Sequence, residues 1–348
     1  MASSYKNPLG LDGFAFCEFT SPDPVPMAKQ LLGLGFVAAA RRDGATLFRQ
    51  GRIAFVINSQ ESGHAAEFRR LHGPSACGMG FRVEDASEAY RTILSRGAKG
   101  VAAADTLFPG AFAVEGIGGS LLYLVEGDPF AYWEEYDGWR EAAATQGCGL
   151  DVIDHLTHNV RRGQMRVWSD FYARLFGFEE QKFFDIKGRA TGLFSQAMIA
   201  PDGATRIPLN ESQDDESQIE EFIRDYNGEG IQHIALSTDD IHATVEKLRA
   251  NGIRLQDTVE TYYELVDTRV PGHGEDLARL KANRILIDGD VEGEGILLQI
   301  FTETMFGPIF FEIIQRKGNE GFGNGNFQAL YESIELDQIR RGVVSVDA

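Results

Sequence analysis

Two histidines and one glutamate stand in short apolar stretches where charge and metal-binding chemistry are out of place in a plain core. They are His155 in DVIDHLTHNV, His233 in GEGIQHIALSTDD and Glu312 in GPIFFEIIQRKG. Each stretch reads as a strand. Two neutral imidazoles and a carboxylate gathered from three strands would bind a ferrous ion on one face and leave its other positions open, an arrangement suited to oxygen activation. Separations of 78 and 79 residues are far too long for a zinc-finger type site and suit ligands drawn from separate modules. Iron is expected over zinc because of the carboxylate and the open coordination, so Fe(II) is the expected cofactor.

Taken singly, each ligand has a plainer reading. A histidine in a strand is more often a hydrogen-bonded core residue than a ligand. The joint pattern argues otherwise, because Glu312 would be a buried charge in need of a cation. His158 lies three residues from His155 and so on the opposite strand face, where it is expected to be structural.

The elements that must position these residues repeat along the chain. The segments CGMGFRVEDASEAYRTILSRGAKG (77–100) and QHIALSTDDIHATVEKLRANGIR (232–254) both run strand, acidic N-cap, amphipathic helix and glycine C-cap, with Asp85 matching Asp240 and Gly97 matching Gly252. Segments 14–36 and 151–178 echo each other more loosely as strand, turn, helix and Gly-Phe. The chain therefore reads as an α+β protein of four βαβββ modules in two domains, 1–148 and 149–348, each an open barrel of strands with helices outside. His155 and His233 open the first strands of the third and fourth modules, where pseudo-symmetry sets them side by side. Aligning the halves puts the matching positions on or near Glu18, Gly78 and Tyr123, so the first domain lacks the triad and is expected to be structural.

Composition sets outer bounds. With 348 residues, 43% hydrophobic and 24% charged, the chain is ordinary for a globular protein large enough for two domains. A net charge of -19 argues against a nucleic-acid partner, which needs clustered Lys and Arg. No apolar run is long enough to span a bilayer, and the start MASSYKNPLGLDGF has no leader pattern. Cys17, Cys77 and Cys148 form no metal-type pairing, which fits a reducing cytoplasm.

The segments VIDHLTHNV, IPLNE, DYNGEGIQH, LLQIFTE, FFEIIQRKG and GFGNGNF resemble the landmarks of the 4-hydroxyphenylpyruvate dioxygenase family, of the vicinal oxygen chelate superfamily. The likeness runs from about residue 5 to residue 345 and is most specific in the second half. It implies that His155, His233 and Glu312 bind Fe(II) and that 4-hydroxyphenylpyruvate chelates it through its 2-oxo acid. A facial triad leaves three of six positions, two for the chelate and one for dioxygen. The implied outcome is oxidative decarboxylation, ring hydroxylation and side-chain migration to give homogentisate and CO2, in a homo-oligomer, dimer or tetramer.

The resemblance also marks a pocket. Ser195, Asn210, Gln218 and Gln232 match family positions that form a polar network at the phenol end. Gln232 raises a conflict, since alternation turns it away from the cavity if His233 points in, unless a bulge or strand end intervenes. Alternation favours Phe310, on the face of Glu312, and Phe301, on the face of Gln299. Gln232, Gln299 and Asn326 are expected to act in catalysis, and Ser195, Pro208, Asn210, Gln218, Phe301, Phe310, Phe322 and Phe327 to bind substrate.

The glycine-rich GFGNGNF is not placed early in a βαβ unit, which rejects a dinucleotide-binding reading. The resemblance makes it the hinge of a lid, with Phe322, Asn326 and Phe327 near the ring and a helix beyond. Three alternatives stay open. The nearest is 4-hydroxymandelate synthase, against which Pro208 and Phe327 weigh; the others are an extradiol catechol dioxygenase and a non-catalytic binding module of the same superfamily.

Overall fold

The computed structural model describes residues 6–108, 110–187, 192–326 and 328–330. Strands β1 (Phe14–Thr20), β2 (Val37–Arg42), β3 (Ala45–Gln50), β4 (Ile53–Asn58), β5 (Ser75–Arg82), β6 (Phe112–Glu115), β7 (Leu121–Val125) and β8 (Glu134–Glu135) form one sheet, in the order β6-β7-β5-β1-β4-β3-β2-β8. A second sheet holds β9 (Leu150–Val160), β10 (Glu179–Lys187), β11 (Gly192–Ile199), β12 (Arg206–Ser212), β13 (Gly230–Thr238), β14 (Leu286–Asp290), β15 (Gly295–Phe301) and β16 (Phe310–Lys317), in the order β10-β11-β12-β9-β13-β16-β15-β14.

The two sheets share one pairing plan. In the first, β1 and β5 run antiparallel at the centre, with β4 parallel to β1 and β7 parallel to β5. In the second, β9 and β13 take the centre, with β12 parallel to β9 and β16 parallel to β13. A sequence duplication folded twice gives this plan: each half-module begins with a central strand, crosses over through a helix and returns on the flank. The crossover helices are Pro24–Gly33, Ala86–Ser95, Met165–Phe176 and Ile241–Ala250. Asp85 and Asp240 cap the second and fourth, accepting from the backbone N–H of Glu88 and Ala243, as their acidic N-cap pattern requires.

The second module departs from the expected βαβββ. After helix Ala86–Ser95 the first return strand is reduced to a bridge, Gly100 to Val114, followed by a single 3₁₀ turn at Ala103–Asp105. Only β6 and β7 complete it, so the first sheet gains its eighth strand from β8, paired to β2.

Register also moves one of the expected matches. In the second sheet Ala235 pairs with both His155 and Glu312, and His233 with Thr157 and Phe310. In the first, Gly80 pairs with Phe16 and Tyr123, and Gly78 with Glu18 and Leu121. The counterparts of the triad are therefore Phe16, Gly78 and Tyr123, while Glu18 holds the place of Thr157; the match of His155 lies two residues before Glu18, near which the sequence alignment had put it.

Those counterparts join an aromatic cluster in the first barrel, and a polar pocket opens beside Glu18 and Tyr123. Phe16 packs on Tyr123, Phe108 and Phe130 with ring centroids 5.2, 5.4 and 5.6 Å apart. A Cβ on Gly78 would meet Glu18 Oε2 at 2.9 Å and Tyr123 Cε2 at 3.0 Å. No imidazole fits there. Glu18 is instead held by the Asn58 amide at 2.7 Å and the Tyr123 hydroxyl at 3.0 Å. An apolar core continues between the halves, with Phe19 against Phe306 and Phe55 against Phe311.

Candidate metal centre

His155 and Glu312 are buried at 2% exposure each, and His233 is half-buried. Nε2 of His155 stands 3.3 Å from Glu312 Oε2, and Nε2 of His233 stands 3.5 Å from the same oxygen. One donor atom from each residue lies within 4.8 Å of the others.

Two irregularities in the β9 and β13 pairing create this geometry. Between Ile231 and His233, β13 advances two residues while β9 advances one, so Gln232 is the extra residue of a bulge. Between Ala235 and Leu236 the excess falls on β9, at Asp154. A bulge turns consecutive side chains toward one side. Each residue preceding a histidine therefore reaches its ring: Asp154 Oδ1 takes His155 Nδ1 at 2.8 Å, and Gln232 Oε1 takes His233 Nδ1 at 2.9 Å. Both acceptors require a proton on Nδ1, so Nε2 is the nitrogen each ring can offer as a ligand once it is neutral. The bulge also resolves the conflict over Gln232, which lines the cavity beside His233.

Further partners hold this shell. Arg316 grips Asp154 through two bonds of 2.7 and 2.8 Å and spends its other nitrogen on the carbonyls of Asn319 and Gly321. Gln299 donates to Glu312 Oε1 at 3.1 Å, and the Thr157 hydroxyl meets His233 Nε2 at 2.9 Å. Phe322 sets its edge on His155 at 5.2 Å, and Phe310 stacks on His233 at 5.1 Å.

The charges follow from these contacts. Burial alone would raise Glu312, but the two imidazoles outweigh it and hold its carboxyl down at about 2. Burial would likewise raise Asp154, yet Arg316 and His155 hold it well below the ordinary carboxylate range. Burial lowers His233, while for His155 the opposing pull of Glu312 and Asp154 prevails and raises it. A carboxylate fixed as an anion between two neutral-capable imidazoles is a donor set that fits a divalent cation.

The centre opens into a cavity of about 290 Å³. Ser195, Pro208, Asn210, Gln218, Gln232, Gln299, Phe301, Phe310, Phe322 and Asn326 all line it with the three ligands. Phe327 and the expected helix beyond residue 330 lie outside the described residues, although 324–326 and 328–330 are helical. His158 points elsewhere, bonded to the Tyr172 hydroxyl at 2.7 Å.

Sequence reasoning did not find several contributors. Thr157, Leu193, Leu286, Gln256, Asp257 and Arg284 also line the cavity. Arg284 is the one Lys or Arg among the described lining residues, and it pairs with Asp257 at 2.9 Å. Asp154 and Arg316 escaped because alternation points Asp154 away from His155, and nothing in the sequence signals the bulge.

Residues 5–136 match the family model described as "Hydroxyphenylpyruvate dioxygenase, HPPD, N-terminal", and residues 152–265 match "Glyoxalase/Bleomycin resistance protein/Dioxygenase superfamily". A protein of Pseudomonas aeruginosa named 4-hydroxyphenylpyruvate dioxygenase is 56% identical, covering 97% of this chain and 97% of its own length. The chain belongs to the 4-hydroxyphenylpyruvate dioxygenase family. A relative of the same name from Legionella pneumophila is 50% identical over 97% of this chain and 98% of its own. The fold of this family member is also that of a 4-hydroxymandelate synthase variant from Streptomyces coelicolor, with a TM-score of 0.80 and 24% identity over 95% of this chain and 100% of that one. As in the vicinal oxygen chelate superfamily generally, paired modules make the barrels; in this 4-hydroxyphenylpyruvate dioxygenase family member the second barrel alone brings three metal-type ligands together among the described residues.

Proposed function

We propose that this protein is a 4-hydroxyphenylpyruvate dioxygenase in which His155, His233 and Glu312 hold Fe(II), and that it converts 4-hydroxyphenylpyruvate and dioxygen to homogentisate and CO2. The observation that carries this reading is one cavity with a two-imidazole, one-carboxylate centre at one side and neutral hydrogen-bonding side chains at the other, in a chain of that family. Bound there, the metal supplies Lewis acidity toward the 2-oxo acid and a site for dioxygen reduction.

The chain's own residues do the rest. Asn210 sits four residues along β12 from Arg206, which pairs with His155, so strand rise sets the amide roughly 13 Å from the level of the ligand. That span suits a 4-hydroxyphenyl ring with its three-carbon side chain. Ser195 lies directly opposite Asn210 across the β11 and β12 pairing, and the two can accept from and donate to a phenol hydroxyl at once. Phe301 and Phe310, 6.0 Å apart and edge to face, give the ring apolar walls beside His233. Gln232 binds a ligand histidine through its oxygen and keeps its N–H₂ for the cavity. Gly323, Asn324 and Asn326 of the glycine-rich segment line the cavity with Phe322.

4-Hydroxymandelate synthase shares the fold but stands at low identity, and Pro208 and Phe327 favour the dioxygenase. Product chromatography, homogentisate against hydroxymandelate, separates the dioxygenase from the synthase, and oxygen uptake separates it from the other two alternatives. Protein loaded with Fe(II) is expected to consume dioxygen with 4-hydroxyphenylpyruvate and not with catechols; the reverse preference would overturn the assignment.

A further inference from the structure

Behind the metal centre runs a chain of hydrogen bonds whose direction is fixed from both ends. Glu312 Oε1 can only accept, so Gln299 must turn its N–H₂ toward it, at 3.1 Å. Gln299 Oε1 then faces Asn326 and receives the Asn326 N–H₂ at 2.9 Å. Asn326 Oδ1 in turn faces Tyr262 Oη at 2.6 Å and Arg269 Nη1 at 3.3 Å. Arg269 can only donate. The Tyr262 hydroxyl accepts from Arg269 Nη2 at 2.7 Å and from the Ile287 N–H at 2.9 Å, and of the two acceptors within reach of its proton Asn326 Oδ1, at 2.6 Å, is nearer than the Ile287 carbonyl, at 3.1 Å.

The three side chains between the ligand and Arg269 are buried, Tyr262 at 0% and Gln299 and Asn326 at 3% and 2% exposure. Flipping either amide would set donor against donor at one end and acceptor against acceptor at the other. In low dielectric such a mismatch is costly. Close packing adds a second lock: Gly323, at φ 70°, lies so near Gln299 that any Cβ there would overlap the Gln299 oxygen.

We propose that Arg269, with Tyr262, is a positioning residue that sets the polarity of this relay, so that Gln299 occupies Glu312 Oε1 and only Oε2 is presented to the metal. Because Asn326 belongs to the glycine-rich segment lining the cavity, the placement of that segment and the aim of the ligand carboxylate are joined by hydrogen bonds. Arg269 is supplied by the short helical turn Val266–Arg269 and Tyr262 by Thr261–Glu264, elements that contribute no metal ligand. The inference rests on the metal-binding reading of the site given above.

The test is Fe(II) affinity of the full-length apoprotein, measured anaerobically against a competing chelator, with the apoprotein melting temperature as a control on folding. Arg269→Met is expected to weaken Fe(II) binding about tenfold to a hundredfold, the usual cost of removing a partner behind a metal ligand. Asn326→Asp keeps the size of the side chain and its bond to Arg269, but it sets an acceptor against Gln299 Oε1; it is expected to lose affinity similarly, and it serves if the methionine variant does not fold. Tyr262→Phe removes one donor and is expected to lose less. Folded variants that bind Fe(II) as the unaltered protein does, or that melt earlier with affinity unchanged, would overturn the proposal. Failure of the unaltered protein to bind Fe(II) would instead overturn the functional reading itself.

Discussion

At the scale of single residues, the site is a carboxylate kept anionic by two imidazoles, each turned by the residue before it. His233→Ala removes one nitrogen ligand and is expected to abolish Fe(II) retention after gel filtration while leaving the fold intact by circular dichroism. Asp154 has a different task. Its pair with Arg316 is buried, with 7% and 14% of the two side chains exposed, and removing one partner strands the other charge. Asp154→Ala is therefore expected to cost about 3 to 5 kcal/mol in urea unfolding, and Asp154→Ala with Arg316→Met to recover part of it. His155, His233 and Glu312 stood out in the sequence as polar letters in apolar strands, whereas Ser195, Asn210, Gln218 and Gln232 came only from the family resemblance. Asp154, Arg316, Tyr262 and Arg269 were not legible there, since their roles depend on bulges and on helical turns far along the chain.

At the scale of elements, β9 and β13 matter most, because both bulges and both histidines lie on them. Alternation along a regular strand would turn Asp154 and Gln232 away from their neighbours, so the functional arrangement sits where the regular pattern breaks. The same strand carries a titration outside the metal site. Burial depresses His158 from its ordinary 6.5 to about 3. Between those values the unfolded chain binds a proton that the folded protein does not, so this histidine makes stability fall as pH drops from about 6.5 toward 3 and contributes no pH dependence above that window. His158→Gln is expected to flatten that part of the stability curve, measured as unfolding free energy by denaturant titration at successive pH values. An unchanged slope would remove His158 as its source.

At the scale of the whole molecule, one pairing plan is used twice with different contents. The periodic pattern in segments 77–100 and 232–254 was enough to read the duplication and the α+β class. It could not show that the second module loses a strand, or that the matching position is Phe16 and not Glu18, because register follows from the ladder and not from composition. The first barrel packs rings around Phe16, the counterpart of His155, and its own polar pocket, beside Glu18 and Tyr123, holds no such ligand set among the described residues. Phe16→Ala is expected to cost about 3 to 5 kcal/mol of stability with Fe(II) affinity unchanged, a split readable by combining denaturant unfolding with metal titration. The central claim, that the second barrel binds iron to oxidise 4-hydroxyphenylpyruvate, is tested most directly by the product. Protein reconstituted with Fe(II) without oxygen, mixed with 4-hydroxyphenylpyruvate and then exposed to dioxygen, is predicted to release homogentisate and CO2 in equal amounts on chromatography and gas analysis; hydroxymandelate, or no turnover by protein that retains iron, would contradict the account.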